Sequence, residues 1–118
     1  MAQVEIDEAL KNEILKKFKG ESKIIFRQMQ SLEENPYKGK TLGEAGGIVV
    51  KEIKYNSFRF YFITDGYKLK IMDQSKLADL LIRFVRMSDK KDQQKTINEI
   101  KKILLNLGLK GFGDNLKR

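Results

Sequence analysis

Three places in this sequence gather side chains able to do chemistry, and all three are basic. The segment Arg86 to Lys91 (RMSDKK) sets a guanidinium and two ammonium groups around a Ser-Asp pair suited to start a helix. With Ser88 or Asp89 as N-cap, Lys90 and Lys91 fall in the first turn, where the helix macrodipole disfavours each cation by about 0.3–1 kcal/mol unless an anion is shared. Helix amides, two ammonium groups and a nearby guanidinium make a phosphate site, whereas Asp89 and Asp92 offer the plainer alternative of local compensation. Arg59 stands among Phe58, Phe60 and Phe62, but strand alternation turns it to the opposite face, beside Tyr61. On an open face it is a fixed guanidinium for a phosphate; otherwise it is a surface arginine covering the sheet with its stem. Lys51 and Lys54 precede it on opposite faces of their strand, and pairing across Asn56-Ser57 sets Lys54 against Arg59. Tyr55 and Tyr61 are candidates to stack on bases or to pack.

The rest of the composition narrows that chemistry. The 118 residues contain no cysteine and no histidine, which removes thiolate nucleophiles, Cys/His zinc sites and imidazole proton shuttles. No phosphate loop, dinucleotide fingerprint or metal motif occurs, so neither a cofactor nor a metal is expected. The net charge of +8 is unevenly placed: residues 1–35 carry six Lys/Arg against seven Asp/Glu, and residues 36–118 carry eighteen against nine. Such a field attracts nucleic acid, an anionic membrane or an acidic protein, though a lysine-rich solvated surface explains the sum equally simply. Much of the charge lies on strand-like segments rather than on a basic amphipathic helix, which disfavours the membrane. No stretch has the roughly 18 uncharged apolar residues of a membrane span and no signal peptide is seen, so a soluble cytoplasmic protein is expected.

The elements that must position these residues can be read from periodicity. A short strand is possible over Gln3 to Ile6. Leu10, Ile14 and Phe18 recur at helical spacing over Asp7 to Phe18, and Ile25, Met29 and Leu32 do so over Ser22 to Glu34, so a hairpin broken at Gly20 and ended by Asn35-Pro36 is predicted. Tyr37 to Gly47 reads as a loop carrying Lys38 and Lys40. Two alternating strands then flank Asn56-Ser57, with an aromatic inner face of Phe58, Phe60 and Phe62. A further strand is read over Tyr67 to Met72. Asp73 to Ala78 is taken as an irregular link, and Leu80 to Met87 as the last strand and the sheet centre. Arg83 falls on the other side of that strand from Arg86 and reads as a partner-binding or structural residue. A last helix is predicted from about Lys90 to Leu107, stopped by Gly108. The expected architecture is α+β: one domain over residues 1–108, an antiparallel sheet of three to four strands under an N-terminal helical hairpin and a C-terminal helix, then a loose basic tail over 109–118.

The run SLEENPYKGKTLG, the strand FRFYFITDG and the segment LLIRFVRMSDKKDQQKTINEIKKIL together resemble the RelE/ParE superfamily of toxins from toxin-antitoxin systems. The resemblance covers about residues 4 to 105 and extends to element order; KKDQQKTINEI is similar to a signature of the HigB-like branch, offset by one residue. It implies a RelE-like fold and a ribosome-dependent mRNA endonuclease in which basic side chains replace histidines at the scissile phosphate, inhibited by a cognate antitoxin. Residue by residue, it implies catalytic roles for Lys54, Arg59, Arg86 and Lys90; Lys51, Lys91, Lys95 and Tyr61 are taken as the RNA-binding residues around them. The chain departs from the pattern at Glu52, where a basic residue is common, and at Asp89 and Gln94, where many RelE-type enzymes carry tyrosine or histidine. The alternatives are a ParE-like inhibitor of DNA gyrase and a non-catalytic basic nucleic-acid-binding adaptor.

Overall fold

Apolar residues on both sides of one β-hairpin give this chain a sheet with two buried faces, and helices close each of them. The computed structural model describes residues 2–117, with side chains for 2–73 and 77–106. In chain order the elements are β1 (Gln3–Ile6), α1 (Glu8–Phe18), α2 (Ser22–Gln30), β2 (Lys40–Ala45), β3 (Ile48–Tyr55), β4 (Phe58–Asp65), α3 (Gly66–Ile71), β5 (Leu81–Asp89) and α4 (Gln93–Lys117), with short 3₁₀ segments after α1, α2 and α3. The five strands lie in the order β1-β5-β4-β3-β2. β1 runs parallel to β5 and every other neighbour is antiparallel.

On one face, Leu10 and Ile14 of α1, Ile25 and Met29 of α2, and Leu32 pack on Ile53, Phe60, Phe62, Ile82 and Phe84. Phe62 and Phe84 meet at 4.9 Å between ring centres, and Phe18 stands edge-on to Phe58 at 5.2 Å. On the other face, Ile97, Ile100 and Leu104 of α4 pack on Ala45, Ile48, Val50, Tyr61 and Ile63. Each such aliphatic side chain stabilises the fold by roughly 1.5–3 kcal/mol when fully buried, which is why both faces of β3 and β4 read as apolar.

The α+β class and the helical hairpin agree with the sequence, but the sheet is larger than expected and mixed rather than antiparallel. β2 lies inside the expected loop over 37–47. An edge strand is held by main-chain pairing to β3 and needs no apolar alternation, and Gly43 leaves room for Lys101, whose Nζ would lie 2.6 Å from an added Cβ. The segment expected as a strand over Tyr67 to Met72 is α3 instead. Asp65 accepts hydrogen bonds from the backbone N–H groups of Tyr67 and Lys68, which caps a helix and diverts the chain from the sheet. β4, not β5, is therefore the central strand. The last helix begins at Gln93, three residues after Lys90, and continues through Gly108 to Lys117, so the expected tail is helical where it is described. One glycine costs a helix only about 1 kcal/mol relative to alanine.

Candidate nucleic-acid interface

Alternation and register bring polar side chains of four strands to the α4 face of the sheet. One row across the strands reads Lys40, Glu52, Tyr61 and Arg86, and the next reads Lys54, Arg59 and Ser88. The predicted pairing of Lys54 with Arg59 is present. A bulge in β5 sets Arg86 against Tyr61 but Phe84 against Phe62, which leaves Val85 as the extra residue, packed in the α4 core. The bulge also corrects the expectation for Arg83, which faces Ile63 in register and so shares the α4 side with Arg86. Its Nη2 donates to Asp7 Oδ1 at 3.1 Å and ties β5 to the entry of α1.

Three of the four catalytic candidates, Lys54, Arg59 and Arg86, thus lie on one face, and Lys90 follows directly in the turn after β5. Lys54, Arg86 and Lys90 are exposed. Arg59 is not: it is 9% exposed, on the sheet face whose neighbouring Tyr61 packs in the α4 core, so the open surface that alternation alone suggests is absent. Its Nε lies 3.5 Å from Oε2 of Glu52, itself 2% exposed. Neither oxygen of Glu52, nor Arg59 Nε, makes a hydrogen bond, so the pair is held by charge alone, while Arg59 Nη1 donates weakly to Ser57 O at 3.5 Å. Glu52 was noted in the sequence only as a departure. The signal that finds it is the register itself, which sets Glu52 diagonally from Arg59 once Lys54 faces Arg59.

The RNA-binding candidates divide. Lys91 is exposed beside Lys90, and Lys95 is exposed near the start of α4. The turn carrying Lys90 and Lys91 is closed by Asp89 Oδ1, which accepts from the backbone N–H of Asp92 at 2.9 Å. The two lysines therefore precede the first helical turn rather than occupy it. Tyr61 is fully buried under α4, so its ring has no open face for a base. Ser88 donates to Asp89 O at 2.9 Å, which leaves Tyr61 as the donor in the 2.6 Å contact between the two hydroxyls. Burial raises the Tyr61 phenol pKa above its ordinary value, against the lowering effect of the Ser88 hydrogen bond. Lys51 lies on the other face, opposite Phe62, and is 3% exposed. Its Nζ donates to Tyr37 O at 2.9 Å, and burial lowers its pKa. It is a strut for the segment before β2, remote from the basic row.

Among the described residues, no group of three or more His, Cys, Asp or Glu side chains is gathered that would hold a metal ion. No helix is long and apolar enough to cross a membrane, again among the described residues. The chain matches no protein-family model, no curated protein and no solved structure.

Proposed function

We propose that this chain is the RelE-like toxin of a toxin-antitoxin pair and acts as a ribosome-dependent mRNA endonuclease. The observation that carries the reading is the convergence of Lys54, Arg59 and Arg86 on one sheet face, with Lys90 in the turn beside them. Attack of a ribose 2′-hydroxyl on its own 3′-phosphate forms the O2′–P bond and breaks the P–O5′ bond. It requires positive charge at the phosphorane, an acceptor for the 2′-hydroxyl proton and a donor for the departing 5′-oxygen. Arg86 is the exposed guanidinium for the non-bridging oxygens, with Nη1 donating to Val85 O at 2.8 Å and its other N–H groups left for the phosphate. Arg59 lies below the surface and is paired with Glu52, so the positive charge open to the phosphate comes from Lys54, Arg86 and Lys90. Of Lys54 and Lys90, one takes the hydroxyl proton and the other protonates the leaving oxygen. An acidic segment of the cognate antitoxin neutralises the same cations.

One observation favours a second reading. Arg59, the arginine that the resemblance places at the phosphate, is buried and paired, and a ParE-like gyrase inhibitor needs no such residue at work. Induced expression with mapping of message ends separates the two. Cuts inside translated frames support the endonuclease, and a DNA-damage response over intact messages supports the gyrase inhibitor.

A further inference from the structure

β3 outruns β2 at one end: Lys40 pairs with Glu52, and Ile53, Lys54 and Tyr55 have no β2 partner in register. At this open edge lies a cleft of about 410 Å³, with Gln28, Lys38, Lys40, Glu52 and Lys54 among its walls. That size falls within the roughly 300–1,000 Å³ of small-ligand sites. Among the described residues, no ion pair joins Lys38, Lys40 or Lys54 to a carboxylate, and the one carboxylate at the wall, Glu52, is engaged by Arg59. Three cations therefore face one concavity without a counter-charge.

The wall is also fixed in place. Lys51 holds the carbonyl of Tyr37 from below, and the Tyr37 hydroxyl donates to Met72 O at 2.9 Å. Gly39 has φ +103°, and an added Cβ would meet both the Glu52 carbonyl oxygen and the Phe62 ring at 3.0 Å. The backbone between Lys38 and Lys40 thus lies close against β3, so a ligand there orders only the two lysine side chains and not the main chain that carries them. Lys54 belongs both to this cleft and to the row with Arg59, so a chain of phosphates crossing that row passes directly into the cleft.

We infer that the cleft holds the backbone of single-stranded RNA beside the cleavage site, with Lys38, Lys40 and Lys54 on its phosphates. The inference rests on the RNA reading above and extends it to residues outside the catalytic row. The probe is a labelled single-stranded oligonucleotide of about ten nucleotides, within ordinary single-strand site sizes, carrying 2′-O-methyl groups so that no hydroxyl can attack. Its binding to the full chain is compared with that of Lys38→Ala/Lys40→Ala and of the charge-matched Lys11→Ala/Lys16→Ala, whose lysines are exposed on α1. The cleft variant is expected to lose about tenfold in affinity at low salt, and its slope of log K against log salt to flatten by about 1.4, since each single-strand phosphate contact contributes about 0.7. The control stays within about twofold, and Lys38→Arg/Lys40→Arg, which keeps both charges, retains binding.

Equal losses in the cleft and control variants, or no loss in either, overturn the inference. So does an acidic peptide that displaces the probe at lower concentration than unlabelled oligonucleotide, because the cleft then serves a protein segment. Cleavage is scored separately on unmodified message carried by translating ribosomes. Binding through the cleft without any cut supports the cleft and refutes the endonuclease, whereas cutting with probe binding indifferent to Lys38 and Lys40 does the reverse.

Discussion

Replacing Arg59 with alanine strips a buried carboxylate of its only charged partner among the described residues. Across the 3.5 Å between Arg59 Nε and Glu52 Oε2, direct attraction amounts to about 5 kcal/mol at an effective dielectric of about 20. Much of that offsets the cost of burying both ions, so the intact pair adds little net stability. Removal of one member is another matter, because the remaining buried charge is uncompensated and costs about 3–5 kcal/mol. A domain of this size has roughly 5–15 kcal/mol in total, so Arg59→Ala is expected to be marginally folded at best. The double variant Glu52→Met/Arg59→Met replaces both charges with apolar side chains of similar length and should lie within about 1 kcal/mol of the wild type or above it. Equilibrium urea unfolding of the three proteins, with midpoint and slope both fitted, gives the comparison. An Arg59→Ala variant within about 0.5 kcal/mol of wild type would behave as a surface substitution and refute the reasoning. It would restore the open-surface arginine that strand alternation alone suggests.

Lys51→Met should be as stable as wild type or more so at neutral pH, by up to about 1–2 kcal/mol, since an apolar replacement avoids burying an ammonium. Because the folded-state pKa of Lys51 is lowered, the unfolded chain binds the extra proton below 10.5, so wild-type stability rises with pH toward that value and the advantage of the variant shrinks; a growing advantage in the unfolding free energy contradicts this. Tyr61→Phe should cost about 1 kcal/mol through the lost hydrogen bond to Ser88. The folded-state pKa of that phenol is raised above 10.0, so its contribution is complete below pH 10 and declines as pH climbs toward the folded value; the gap between wild type and variant narrows in alkaline unfolding series, and a widening gap contradicts the assigned burial. Asp65→Ala removes the cap of α3 and should cost about 0.5–2 kcal/mol in the same assay, with no loss meaning that α3 is held by something other than its cap.

The sequence made the hairpin legible because alternation and a turn act locally. With Asn56-Ser57 placed, Lys54 had to face Arg59, and Phe60 and Phe62 had to share a side. α3 was misread because Tyr67, Leu69 and Ile71 alternate within six residues, too short a run for period 2 and period 3.6 to be told apart; the deciding feature is the side chain of Asp65 at the start. β2 escaped notice because an edge strand is secured by main-chain bonds, which leave little trace in side-chain pattern. The bulge at Val85 was invisible for the same reason, and with it the common side of Arg83 and Arg86. Arg59 was placed on the correct face but in the wrong surroundings. Ile48, Val50, Tyr61 and Ile63 formed a second apolar face, and the stripe of Ile97, Ile100 and Leu104 required one; joining the two facts would have covered Arg59 and singled out Glu52 as its partner.

The proposed activity rests on exposed cations, and these can be changed without touching the core. Cleavage of a message on translating ribosomes should be measured for the wild type, Lys54→Ala and Arg86→Ala, after urea unfolding has shown equal midpoints for all three. Removal of Arg86 is expected to slow cutting by about a hundredfold or more, the usual effect of losing a fixed positive donor at the reacting phosphate, with Lys54→Ala also impaired. Messages cut at the wild-type rate by both variants, or left whole by the wild-type chain itself, would contradict the assignment.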